Sequence, residues 1–166
     1  MSYPDPVYLG DGGEISATYR SIETPPDFVS PAGARVHYLA TGGTTRGRYG
    51  LYRYEMGPQQ GGPGPHFHRT MSEAFHVLSG TVRILDGRRW IDAFAGDFVY
   101  VPEGGIHGFR NVSPEPASML ILFSPGAPRE AYFEGGPGVA ALSDEEREAF
   151  YLRHDNIWVP EADPDA

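Results

Sequence analysis

His66-Phe67-His68-Arg69-Thr70-Met71-Ser72-Glu73 is the stretch on which the fold turns, together with Gly80 and a second pattern of Gly96, Pro102, Gly104, His107 and Asn111. Imidazole nitrogens and a carboxylate oxygen form a donor set for a borderline transition metal. His66 and His68 are two residues apart, so a strand projects both to one face. Glu73 follows at an odd separation, which would turn it to the opposite face of a straight strand. A turn or bulge is therefore expected at Arg69-Thr70-Met71-Ser72. His107 must come from another strand, and Pro102-Glu103-Gly104-Gly105 is a turn signal just before it. Two hairpins meeting inside a barrel would gather His66, His68, Glu73 and His107 around one ion. Iron, manganese, nickel and cobalt suit these donors, and zinc is compatible.

Outside this stretch the chain divides into an irregular arm (1–13), a barrel (14–126), a helical segment (127–158) and an acidic tail (159–166) expected to fray. Glu14 to Arg20 is expected as a first strand, ended by Thr24-Pro25-Pro26. Ala34 to Ala40 and Tyr49 to Met56 alternate as strands do, and residues 57–65 are a Gly/Pro loop. Glu73 to Ser79 and Thr81 to Leu85 are expected to pair as a hairpin around Gly80. Asp86-Gly87 is a tight turn. Strands near Trp90 and over Phe98 to Val101, His107 to Val112 and Ser118 to Phe123 complete a set of about nine or ten, the pattern of a sandwich or barrel. Ser143-Asp144-Glu145-Glu146 is a capping box, opening a helix to about Arg153 anchored by Leu142, Phe150 and Leu152. A shorter helix is expected over Pro128 to Phe133.

Composition narrows the chemistry. At 166 residues the chain is one domain by size, with enough length for a real core. It has no cysteine, which excludes thiolate ligands, disulfides and cysteine nucleophiles. All 13 basic residues are arginine, which excludes lysine Schiff bases and pyridoxal phosphate attachment. A net charge of −9 without a basic cluster argues against nucleic acid and anionic membrane as partners. No apolar run reaches membrane-spanning length and the N-terminus lacks the shape of a signal peptide, so a cytoplasmic location is expected.

The two patterns resemble the paired motifs of the cupin family. His66, His68, Glu73 and Gly80 match the first motif; Gly96, Pro102, Gly104, His107 and Asn111 match the second. The glycine that usually opens the first motif is displaced, with Gln60 in its place and Gly61 and Gly62 beside it. Gly62 to His68 with Glu73 to Leu78 is most similar to bacterial single-domain, quercetinase-like cupins. The resemblance implies an all-β fold, a double-stranded β-helix (cupin jelly-roll barrel) with a short C-terminal helix. It also implies one divalent transition metal per chain, a small-molecule substrate and a homodimer.

The first function it implies is a dioxygenase acting with O2 on an enolic or aromatic, flavonol-like molecule, Glu73 being both ligand and proton acceptor. A metal-assisted isomerase or polyketide-type cyclase and a non-catalytic small-molecule-binding cupin stand beside it. Tyr52, Tyr54, Met56, Phe75 and Phe109 are candidates for the pocket wall, although barrel interiors are commonly filled by such residues as plain core. Arg53 and Arg110 could meet an anionic substrate or belong to a solvated strand face. His76 should face outward if Glu73 faces in, and His37 and His154 are read as structural.

Overall fold

The computed structural model describes residues 2–165, among which it has eleven strands and two α-helices. The strands are β1 (Phe28–Val29), β2 (Arg35–Ala40), β3 (Gly50–Met56), β4 (His66–Phe67), β5 (Ser72–Ser79), β6 (Thr81–Leu85), β7 (Trp90–Phe94), β8 (Phe98–Val101), β9 (Gly108–Arg110), β10 (Ala117–Ser124) and β11 (Ile157–Trp158). The helices are α1 (Arg129–Gly135) and α2 (Asp144–Arg153).

Six strands form one sheet in the order β1-β2-β3-β10-β5-β8. The facing layer has β7-β6-β9, and a bridge between His66 and His107 joins it to the β4-β11 pair. This is the jelly-roll barrel that the sequence leads one to expect. Its core follows the period of two: on β10, Ala117, Met119, Ile121 and Phe123 are buried, while the residues between them are only half-buried. Tyr52, Met56, Phe75, Val77, Val82 and Ile84 meet these side chains from the other strands.

Three expectations change. Glu14 to Arg20 is not a strand. Ile15 and Tyr19 are exposed, and the ladder begins at Phe28 with Val36 opposite it. β5 and β6 do not pair across Gly80: β5 lies between β10 and β8, and β6 between β7 and β9. A single left-handed residue, Gly80 at φ +69°, instead carries the chain from one sheet to the other, with its position packed 2.3 Å (as a Cβ) from the Pro116 carbonyl. The tail is docked as well. Asp163 accepts from the Trp90 indole at 2.8 Å, and Asp165 pairs with Arg110, whose guanidinium lies over the Trp90 ring.

Other local readings hold. Asp86-Gly87 turns β6 into β7, with Leu85 opposite Trp90. Ser143 caps α2 with the reciprocal bond to Glu146, although Leu152 is exposed and anchors nothing. Asn111 donates to the carbonyls of Gly57 and Glu115 and accepts from Ser113, tying the start of the ligand loop to the end of β9.

The outer face of the six-stranded sheet carries one apolar row, in which Leu51, Leu122, Ala74 and Tyr100 lie opposite one another across four strands, while the neighbouring row, Arg53, Leu120, His76 and Phe98, is mixed. No helix among the described residues is long and apolar enough to cross a membrane.

Gly80→Ala should lower the unfolding free energy by about 2–3 kcal/mol, since it adds a left-handed strain to a steric clash. Urea unfolding followed by circular dichroism checks this, and an unchanged midpoint would refute the crossover role.

Candidate metal centre

The chain places its donors by local geometry. β4 is only two residues long, and Arg69-Thr70 turns the chain before β5 begins at Ser72. That turn is held from outside. The Asp155 carboxylate accepts from the backbone N–H groups of Arg69 and Thr70 and from the Thr70 hydroxyl. Glu73 can therefore face inward, opposite Phe123 on β10 and Val101 on β8. His107 arrives beside His66 through two backbone bonds of 2.9 Å. The ligand loop runs so close to β9 that a Cβ on Gly62 would lie 2.1 Å from the Phe109 carbonyl. The displaced glycine of the first motif thus has a steric reason to be where it is.

His66, His68, Glu73 and His107 are all buried, and one ligand atom from each lies within 4.8 Å of the others. The Nδ1 atom of each imidazole sits against a backbone carbonyl: His66 on Gly64 at 2.9 Å, His68 on Asp155 at 2.6 Å, His107 on Gly105 at 2.9 Å. A carbonyl only accepts, so each Nδ1 carries the hydrogen and each Nε2 presents a lone pair. Glu73 Oε2 is 2.7 Å from His107 Nε2 and 3.0 Å from His68 Nε2. Three lone pairs and a carboxylate aimed at one point repel unless a cation lies among them. The donor set fits a metal ion, with the three carbonyls as the outer bonds that orient its ligands.

The charges agree. Burial, with His107 beside it, pushes His66 down to about 3, so it stays neutral at working pH. Burial alone would raise Glu73, yet the neighbouring charges and hydrogen bonds of His107 and His68 hold it below the usual carboxylate range. Burial presses on His107 too, but Glu73 holds its pKa above the ordinary value.

Two of the donors, His66 and Glu73, line a cavity of about 480 Å³. Of the wall candidates, Tyr54 and Phe109 line it, as do Ile121 and Phe123. Tyr52, Met56 and Phe75 sit in the core instead. The Tyr52 hydroxyl donates to Glu130, and Phe75 packs between the rings of His107 and Phe109. Arg53 is tied to His37 and Glu55, and Arg110 to Asp165. His76 is on the outer face, and His154 packs on Phe150 and Tyr132 rather than on the donors.

Sequence reasoning missed the far wall. Trp158 of β11 lies 5.3 Å from the His66 ring, and Arg129, Tyr132, Phe133 and Tyr151 come from the helical segment. Helical periodicity could not have found them, because α1 is short and its wall residues point at a cavity formed by distant strands. Arg129 is 3% exposed, and burial lowers its pKa from the ordinary arginine value.

Residues 52–123 match the Cupin domain family. An uncharacterized protein of Aquifex aeolicus is 36% identical over 62 residues, which are 37% of this chain and 50% of that protein, so the chain spans half the length of this relative. Among solved structures, a predicted oxalate decarboxylase from Thermotoga maritima superposes with a TM-score of 0.59 at 19% identity, covering 66% of this chain and 99% of its own. KdgF from Halomonas sp. gives 0.56 at 17% identity, covering 66% and 93%. The polyketide cyclase RemF from Streptomyces resistomycificus gives 0.53 at 20% identity, covering 65% and 78%. At these identities the likeness is one of fold.

His107→Ala should abolish metal uptake, and Asp155→Ala should weaken it about 10–100-fold by loosening the turn and the carbonyl that orients His68. Calorimetric metal titration checks both, with circular dichroism confirming an intact barrel. Unchanged affinity in Asp155→Ala would show that the C-terminal segment does not position the ligands.

Proposed function

We propose, from the match of residues 52–123 to the cupin domain family, that the protein is a metal-dependent enzyme for an enolic or aromatic small molecule. A quercetinase-like dioxygenase is the first reading. The observation that carries it is an intact three-histidine, one-glutamate donor set opening onto an aromatic-walled cavity. A bound iron, manganese, nickel or cobalt ion supplies a Lewis acid for a substrate oxygen and a partner for O2.

The chain's own residues do the rest. Tyr54, Phe109 and Phe133 take the faces and edges of a planar ring. Trp158, against His66, shields the donors from water. Glu73, swung off the ion and away from His107 and His68, accepts the proton of the substrate hydroxyl. In a second reading the same acid–base pair catalyses isomerisation or cyclisation without oxygen. The likeness in fold to a polyketide cyclase favours keeping it.

A homodimer is part of the proposal. The two rows on the outer sheet face end in the large apolar side chains of Phe98 and Tyr100, which are 64% and 59% exposed on the open edge strand β8. A second copy offers the same rows, and pairing them isologously removes both from water. Light scattering should give twice 18.2 kDa, and Phe98→Asp with Tyr100→Asp should give the monomer. A wild-type chain that is monomeric at high concentration would refute it.

Elemental analysis with oxygen uptake on a flavonol panel tests the enzyme reading. One metal per chain with uptake supports the dioxygenase. A full site without uptake favours the isomerase or cyclase, and no metal after reconstitution leaves a binding module. Glu73→Gln should keep much of the metal and lose turnover by about 10²-fold or more. Near wild-type turnover would show that Glu73 is not the base.

A further inference from the structure

We propose that Arg129 makes the cavity a receptor for a carboxylate, the acid group of the ligand lying against the guanidinium and its apolar body filling the aromatic chamber. The inference uses the proposed function only for the location of the ligand, not for the reaction.

Arg129 is buried in the lining of the cavity that His66 and Glu73 also line. One Nη donates to the His154 carbonyl at 2.7 Å, while Nε is buried without a partner. Among the described residues no carboxylate stands within ion-pair distance of it. The two acids whose charge reaches it are engaged elsewhere: Glu73 lies against His68 and His107, and Asp155 accepts from Arg69 and Thr70. A buried cation without a counter-ion is costly to keep for stability alone. Its plane is fixed instead. The guanidinium carbon lies 4.1 Å from the Tyr132 ring centre and 4.9 Å from that of Phe123. Ring faces attract the cation and orient its fork without satisfying its N–H groups. A fork of donors held in one orientation matches the two oxygens of a carboxylate.

A titration of the metal-loaded chain with 2-naphthoate and 2-naphthamide, followed by tryptophan emission, tests this. The wild type should bind the acid about tenfold or more tightly than the amide. Arg129→Gln should abolish that preference while metal content per chain and circular dichroism stay unchanged. Equal affinity for acid and amide, or no binding of either at millimolar concentration, would overturn the proposal. So would a preference that survives Arg129→Gln, because the metal would then be the acid's partner. If the variant does not fold, the wild type is titrated after chelation. A preference that persists supports the guanidinium, and one that vanishes with the metal refutes it. A chain that takes up no metal yet keeps an Arg129-dependent preference would remove the metal-enzyme reading and leave this one standing.

Discussion

Three hydrogen bonds from imidazole Nδ1 to backbone carbonyls fix the centre of this protein. They determine which nitrogen of His66, His68 and His107 faces inward, and so they decide that the convergence point is lined by lone pairs. Each carbonyl belongs to a different structural unit. Gly64 lies in the ligand loop, Gly105 in the turn after β8, and Asp155 beyond the end of α2. The centre can form only when all three units are in place. The rest of the barrel is the scaffold that brings two turns and one C-terminal segment to a common point.

That arrangement explains a buried carboxylate in an otherwise apolar interior. An ionised glutamate taken out of water costs several kcal/mol unless charge and hydrogen bonds compensate it. Glu73 has no arginine or lysine at ion-pair distance; its neighbours are His68 and His107. With both Nδ1 atoms protonated by their carbonyl bonds, compensation needs a further positive charge at the centre. It comes from a second proton on an imidazole or from a metal ion. The three-histidine geometry favours the ion, which satisfies every lone pair at once.

Much of this was legible in the sequence, and for a physical reason. Side-chain alternation has a rigid period, so the spacing of His66, His68 and Glu73 dictated both a strand and a turn, and the turn lies at Arg69-Thr70. Glycine and proline likewise marked Asp86-Gly87 and Pro102-Gly105. What stayed hidden depends on long-range partners. Gly80 looked like a hairpin residue because local sequence does not say whether two flanking strands share a sheet. The acidic tail looked frayed because its charges find Trp90 and Arg110 only after the barrel closes. Tyr52, Met56 and Phe75 have the same character as Tyr54 and Phe109. Which of them faces a void and which a neighbour is set by distant elements, as α1 covers Tyr52 and the His107 and Phe109 rings cover Phe75, and the strand pattern carries no information on these.

The C-terminal segment is therefore the part of the chain on which the barrel's chemistry depends most and about which motif reading says least. It adds β11 to the sheet edge beside His66, brings Trp158 over the donors, supplies the carbonyl for His68 and contributes Arg129 to the cavity lining. The donor motifs lie in the barrel, but the depth, charge and closure of the cavity come from residues 129–158. A barrel that kept its four donors while exchanging this segment would need another carbonyl for His68, and it would change what it can hold beside the metal. Specificity and metal binding thus meet in this segment, at one residue. Asp155 joins them: its side chain holds the Arg69-Thr70 turn and its carbonyl holds His68, so a ligand that shifts the segment also acts on the ligand field of the centre.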